Sequence, residues 1–406
     1  MNSASQAWKL KYDLRGWQEI AIEAWREKSR GTVSVVTGGG KTVFAEACLI
    51  QFFEEHPDGL AVIVVPTTAL LDQWCLSLQD EMGVAPEAIG LLGGGERPKE
   101  DAKIIIAVIN SARRRDGKWS EANQPKMLVV DECHRAGSPE NAKALSGDFS
   151  ATLGLSATPV REYDDGFSAL VEPALGPVIY EYTYVEAHRD GVITEFNLQN
   201  VRVNLLPDEQ DKYDRLNKRV RMAFARGSDP KDDDGLKRLL QQRAAVSATA
   251  TMRIPVAVRL IEEHRGERSI IFHERTEAAD HLFRLLNERG HSATIYHAKL
   301  APALRRENLR LFRKGVFDVL VCCRALDEGM NVPETSVAVV ASSTASQRQR
   351  IQRLGRILRP AAGKEAATVY TIYATKEEEE RLAAEAKNLE DVAGTSWHRG
   401  GTNVDG

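Results

Sequence analysis

Ten short runs rich in β-branched residues recur along this 406-residue chain, with amphipathic helical patterns between them. The first set is TVSVV (32–36), LAVIVV (60–65), KIIIAV (103–108), KMLVVD (126–131) and TLGLSA (152–157). The second is RSIIFH (268–273), SATIYH (292–297), FDVLVCC (317–323), SVAVVA (336–341) and ATVYTIY (367–373). Nearly continuous apolar strands need cover on both faces, and segments such as VFAEACLIQFFEEH and RRENLRLFRKG supply it. The pattern predicts an α/β fold with parallel sheets, and its doubling predicts two such domains in tandem. A chain of this length also exceeds what one core usually serves.

The boundaries follow from where the pattern changes. Residues 1–190 form the expected first domain and 191–380 the second. A charged helical segment at about 206–265 carries an exposed hairpin, interrupted by the solvated loop GSDPKDDDG. Residues 381–406 are expected to be a helix end and a loose tail.

Composition narrows the class. A formal net charge of −4 excludes a polycation that coats nucleic acid, but not a localised basic groove. There is no run of about 18 apolar residues to span a membrane, and MNSASQAWKLKYDLRG lacks a secretory core. Cysteines at 48, 75, 133, 322 and 323 show neither C-x-x-C nor zinc spacing. A reducing, cytoplasmic setting with no membrane partner is expected.

The chemistry begins at SVVTGGGKTVFAEA (34–47), where a strand pattern meets a helix pattern through three glycines. A phosphate-binding loop needs backbone N–H groups converging on an anion at a helix N-terminus. It also needs a Lys for the β- and γ-phosphates and a Ser or Thr for Mg²⁺. Thr37, Gly38, Gly39, Gly40, Lys41 and Thr42 supply this set, although the full pattern G-x-x-x-x-G-K-[ST] wants Gly at 35 and Val35 stands there. A flexible turn is the other reading of the glycines. The second requirement, a carboxylate pair at a strand end, is met by Asp131 and Glu132 in KMLVVDECHR. Asp131 would hold Mg²⁺, through water, and Glu132 would act as general base on the attacking water. Together the two motifs point to nucleoside triphosphate hydrolysis.

These residues resemble the superfamily-2 helicases and translocases, with the signatures in family order over about residues 14–360. LRGWQ (14–18) looks like the Q motif, TGGGKT (37–42) motif I, VVPTTALLDQW (64–74) motif Ia, DECH (131–134) motif II and SATP (156–159) motif III. IIFHE (270–274) is similar to motif IV, LDEGMNVP (326–333) to motif V and QRLGRILR (352–359) to motif VI. LGLSATPVREYDDG and GPVIYEYTYVEAHRDGVITE look closest to the XPB-like and type III restriction-like branches. Those branches often carry Arg-Glu-Asp after motif III; here Arg161-Glu162 is followed by Tyr163, with Asp164 one place late.

The resemblance implies two RecA-like domains with ATP and Mg²⁺ held between them. It implies that Gln18 reads the adenine edge and that Gly329 and Asn331 lie by the nucleotide. Arg356 and Arg359 would reach the γ-phosphate, with Gln352 near the attacking water, and their spacing of three would put both guanidiniums on one helix face. His134, Ser156, Ala157, Thr158 and Arg353 would couple nucleotide state to the nucleic-acid face. Thr67, Thr68, Gly93, Gly94, Ser111 and Arg324 would touch a sugar-phosphate backbone, to which hydroxyls and N–H groups bind without reading bases. Arg113-Arg114-Arg115 either extends that contact or forms a solvated basic loop. The branch tilts the expected track towards DNA over RNA, with protein partners supplying nuclease or targeting functions. Two other functions fit the motifs: a motor that remodels protein–nucleic acid complexes without separating strands, and a nucleotide-gated binding module.

Overall fold

The computed structural model describes residues 8–99, 101–115, 117–119, 123–157, 166–192, 196–229, 233–323, 335–342, 366–387 and 393–399. The chain separates near residue 193 into two compact units.

The first unit is built on strands β1 (Arg30–Val35), β2 (Leu60–Val65), β3 (Ile89–Leu92), β4 (Ile104–Val108), β5 (Lys126–Asp131), β6 (Ala151–Ser156) and β7 (Val178–Tyr182). They lie in the order β3-β4-β2-β5-β6-β1-β7, every pairing parallel. Strand β5 shows why the strands read as unbroken apolar runs. Met127 and Val129 enter the core on one face, and Leu128 and Val130 enter a second core on the other. Helices α1 (Gly16–Arg26), α2 (Lys41–Glu55) and α3 (Thr68–Asp80) cover the first face with Trp17, Trp25, Phe44, Leu49 and Trp74.

The second unit holds β8 (Phe196–Arg202), β9 (Ser269–His273), β10 (Ala293–Tyr296), β11 (Val319–Cys323), β12 (Val337–Val340), β13 (Ala367–Tyr373) and β14 (Ala393–Arg399). Their order is β10-β11-β9-β12-β13-β8-β14, again all parallel. Adding seven to each strand number of the first sheet reproduces the second, so one topology is used twice. Three helices precede β9: α4 (Pro207–Ala225), α5 (Asp234–Ala248) and α6 (Arg253–Glu263). Helices α4 and α5 form the expected hairpin, with Tyr213 and Leu216 packed on Val246. Helices α7 (Thr276–Glu288) and α8 (Pro302–Arg313) alternate with the strands, and α9 (Lys376–Lys387) follows β13.

All ten sequence candidates are strands, and β3, β7, β8 and β14 are additional. Strand β14 corrects the expectation of a loose tail. Residues 393–399 pair in register with all seven residues of β8, and the Trp397 ring meets Tyr373 edge-on at 5.8 Å. The ladder satisfies an edge that β8 would otherwise present to water.

One buried ion pair ties the second unit together. Arg253, 1% exposed, donates to the backbone oxygens of Ser247, Ala341 and Ile372 and to both carboxylate oxygens of Glu378, at 2.7 and 2.8 Å. The Glu378 carboxylate also accepts from the Ala374 and Thr375 N–H groups at the start of α9. Burial alone would raise this carboxyl, but Arg253, the Ser247 hydroxyl and the Ala374 N–H outweigh it and hold it below its ordinary value. Glu378→Gln should therefore cost about 3 kcal/mol at pH 7, because it strands a buried guanidinium. A group with a depressed folded value stabilises above its unfolded value of about 4.3 and loses that contribution as pH falls through the folded one. Urea midpoints of the second unit should accordingly differ between the two proteins at pH 7 and converge in acid.

Candidate active site

In a parallel sheet all strands end on the same edge, and the carboxyl edge of the first sheet collects the expected site residues. Strand β1 runs into the glycine loop, β5 ends at Asp131, and β6 ends at Ser156. These three are neighbours in the order β5-β6-β1.

The loop is shaped from beneath. Gly38 and Gly40 have φ of 87° and 102°, conformations that disfavour side chains. Gly39 is required for a different reason: a Cβ there would stand 2.6 Å from Val35 Cγ1. Val35 occupies the place where the full phosphate-loop pattern has glycine, and Gly39 gives its side chain room.

The Gly39 carbonyl accepts from Arg15 Nη1 at 3.0 Å and Trp17 Nε1 at 3.1 Å, and the Gly40 carbonyl accepts from Gln18 Nε2 at 2.9 Å. Because a trans peptide points its N–H opposite its C=O, these bonds aim the N–H groups of Gly40 and Lys41 away from α1, at the start of α2. Trp17 is fixed by Phe44 and by stacking on Tyr180 and Tyr182, at 6.0 and 5.2 Å. Lys41 Nζ donates to the Val35 carbonyl at 3.0 Å.

Gln18 is 2% exposed, and its Oε1 accepts from the Arg15 N–H at 2.7 Å while its Nε2 holds Gly40. Both ends of the amide thus engage the protein, and Gln18 sits here as a brace of the loop. Arg15 and Trp17 are residues that motif reading missed. Their signal was in LRGWQ itself, where only Gln18 was given a role.

The carboxylate pair is equally constrained. Asp131 Oδ1 accepts from the Glu132 N–H at 2.9 Å, and Oδ2 accepts from Trp74 Nε1 at 2.9 Å. Glu132 has φ 49° and ψ 48°, a left-handed conformation costing on the order of 1–3 kcal/mol in a residue with a side chain. His134 Nδ1 lies 2.9 Å from Ser156 Oγ and 3.5 Å from Glu132 Oε2. One imidazole therefore joins the end of β5 to the end of β6. Burial, and then the Glu132 and Asp131 charges, push the Cys133 thiol far up, so it is a neutral core group.

The other arm of the edge, β2-β4-β3, is where Thr67, Thr68, Gly93, Gly94 and Ser111 lie. Thr67 caps α3, its Oγ1 accepting from the Leu70 N–H at 3.4 Å, and Thr68 begins the helix. Gly93 and Gly94 leave β3 with φ of 133° and 63°. A Cβ on Gly93 would lie 3.5 Å from Ser111 Oγ, so those two residues adjoin. Arg113 is tied to Asn141 at 3.1 Å and to Glu140 at 3.7 Å. Ala157 follows β6 directly. Thr158, Arg161, Glu162, Arg324, Gly329, Asn331, Gln352, Arg353, Arg356 and Arg359 lie outside the described residues. Among the described residues no cluster of three or more His, Cys, Asp or Glu could hold a metal by itself.

Residues 11–161 match the family described as type III restriction enzyme, res subunit, and residues 252–361 match the helicase conserved C-terminal domain. The DNA 3'-5' translocase XPB2 of Sulfurisphaera tokodaii is 28% identical over 86% of this chain and 80% of its own length. The DNA 3'-5' helicase XPB of Kineococcus radiotolerans is 24% identical over 91% of this chain, which spans 61% of that relative. Among solved structures, S. cerevisiae Dbp5 bound to RNA and ADP BeF3 matches with a TM-score of 0.64 at 18% identity, over 94% of this chain and 89% of its own. The type ISP restriction-modification enzyme LlaBIII bound to DNA matches with 0.61 at 15% identity, over 97% of this chain and 32% of its own. These neighbours share the tandem RecA-like fold.

The geometry separates two roles for Gln18. If it acts as a brace, Gln18→Ala, which removes both of these hydrogen bonds, should weaken binding of ATP and GTP by the same factor, on the order of tenfold. Titration with fluorescent analogues of both nucleotides reads this directly, and an adenine-reading role would instead erase the difference between them.

Proposed function

We propose that this superfamily-2 chain of the XPB-like branch is a nucleic-acid-dependent ATPase that translocates on DNA. The observation that carries the reading is the convergence, on one sheet edge, of a braced glycine loop with Lys41 and the buried pair Asp131 and Glu132, joined to Ser156 by His134.

On this reading the Gly40 and Lys41 N–H groups and the Lys41 ammonium hold the β- and γ-phosphates of ATP. Thr42 and Asp131 suit Mg²⁺, which takes few protein oxygens and completes its shell with phosphates and water. When bound there, Mg²⁺ would neutralise charge on the phosphate oxygens. Glu132 accepts a proton from water as the water oxygen attacks the γ-phosphorus, giving ADP and inorganic phosphate. Arg356 and Arg359 supply positive charge to the γ-phosphate, a contribution of about 10³–10⁵ in rate for such a finger. Gln352 orients the water, Gly329 and Asn331 meet the nucleotide, and Arg353 and Thr158 act with His134 and Ser156 in coupling. Thr67, Thr68, Gly93, Gly94, Ser111 and Arg324 receive the sugar-phosphate backbone.

DNA as the track is supported by the names of the relatives. Translocation without obligatory strand separation is supported by a relative of which the chain covers 80%, a protein called a translocase. A motor that remodels protein–nucleic acid complexes is the same chemistry with a different load. Partner proteins supplying nuclease or targeting functions belong to the proposal, as does a cytoplasmic location. A binding module without turnover is disfavoured by Glu132, whose strained backbone serves a base better than a scaffold.

Lys41→Ala should abolish phosphate release with circular dichroism unchanged. Glu132→Gln should retain ATP binding while turnover falls by about 10²–10⁴, the usual worth of a general base. Phosphate release by the parent should rise with DNA, and a labelled forked duplex should stay annealed if the chain only translocates. A displaced strand would make it a helicase, and release unchanged by any polynucleotide would overturn the motor.

A further inference from the structure

The indole of Trp74 makes an unusual bond. The N–H of a buried tryptophan usually finds a hydrogen-bond partner. Trp17 uses the Gly39 carbonyl, and Trp25 uses that of Thr152. Trp74, with no exposed surface, donates instead to a carboxylate oxygen of Asp131, the residue proposed to hold Mg²⁺.

The position of the ring matters as much as its partner. Trp74 lies on α3, whose N-terminus is formed by Thr67 and Thr68. It stands seven residues after Thr67, so two helical turns put both on the same face. The helix is rigidly seated: Leu70, Leu71, Trp74 and Leu78 are all in the first core. Its strand, β2, is the direct neighbour of β5, which ends at Asp131. One stiff element therefore runs from the expected backbone contact to the metal-facing carboxylate.

We propose that Trp74 is a positioning residue that orients Asp131 for Mg²⁺ and carries movement of the α3 N-terminus to the nucleotide site. The inference rests on the function proposed above. The indole suits the task because it is a neutral donor: it fixes one carboxylate oxygen, the Glu132 N–H fixes the other, and the full negative charge stays available for a metal. An arginine in that place would compete with the ion.

The test compares Trp74→Phe, which keeps an aromatic ring and removes the N–H, with Leu71→Ala, which loosens α3 and keeps the bond. Binding of a non-hydrolysable fluorescent ATP analogue is titrated with Mg²⁺. Trp74→Phe should raise the Mg²⁺ concentration for half-saturation by about 10–100-fold, the usual effect of losing an outer-sphere partner. It should also reduce the fold-stimulation of phosphate release by DNA, and leave metal-free binding of the analogue as in the parent. Leu71→Ala should lower Tm without moving the Mg²⁺ midpoint. Should Trp74→Phe fail to fold, the ¹⁵N–¹H indole resonance of Trp74 in the parent provides the readout. It should shift when Mg²⁺ is added to the analogue complex and not when the analogue binds alone. Equal Mg²⁺ midpoints in parent and Trp74→Phe, or an indole resonance indifferent to Mg²⁺, overturns the inference while the ATPase reading stands. A parent that binds no nucleotide would overturn both.

Discussion

A peptide group cannot present its carbonyl and its N–H to the same side, and the candidate site depends on that constraint. The Gly39 and Gly40 carbonyls are drawn down by Arg15, Trp17 and Gln18, and the opposite faces of those peptides are thereby turned outward. Glycine is needed at 40 because the conformation is left-handed, and at 39 because Val35 fills the space. The loop is thus held in shape by α1 before any anion arrives, which lowers the ordering cost of binding one.

The acidic half is built with the same economy of motion. Glu132 bends into a left-handed turn at the end of β5, and its own N–H closes on the Asp131 carboxylate. His134 then reaches Ser156 across the neighbouring strand end. Side chains whose neighbours occupy both ends have few orientations left, and catalytic groups benefit from losing that freedom early.

Strands β2, β4, β5, β9 and β11 are legible in the sequence because burial on both faces makes them nearly unbroken apolar runs. The missed ones have physical reasons. Strand β3 is four residues, IGLL, with a glycine inside. Strands β7 and β8 mix polar and apolar residues, VIYEY and FNLQNVR, as strands nearer a sheet edge can. Strand β14, AGTSWHR, has almost no apolar content and takes its order from the β8 ladder, a long-range cause invisible in a local window. At the site, Lys41, Asp131 and Glu132 were legible because chemistry restricts their types and spacing. The bracing by Arg15 and Trp17 and the bond from Trp74 were not, because each depends on residues brought together by folding.

The repeated topology has an asymmetric outcome. The slot after β1, where the glycine loop meets α2, corresponds in the second sheet to the slot after β8, where the chain enters α4. There the glycines are replaced by Leu205, Leu206 and Pro207, and the first helical turn carries Asp208 and Glu209. The Glu209 carboxylate already accepts the Leu206 N–H at 2.9 Å and the Thr251 N–H and hydroxyl. The second copy has thus furnished its own permanent anion where the first awaits one from outside, and an incoming triphosphate would meet like charge. Repeating the topology did not repeat the loop: among the described residues, one sheet leads into a glycine-lined helix start and the other into a helix start that its own carboxylate already fills.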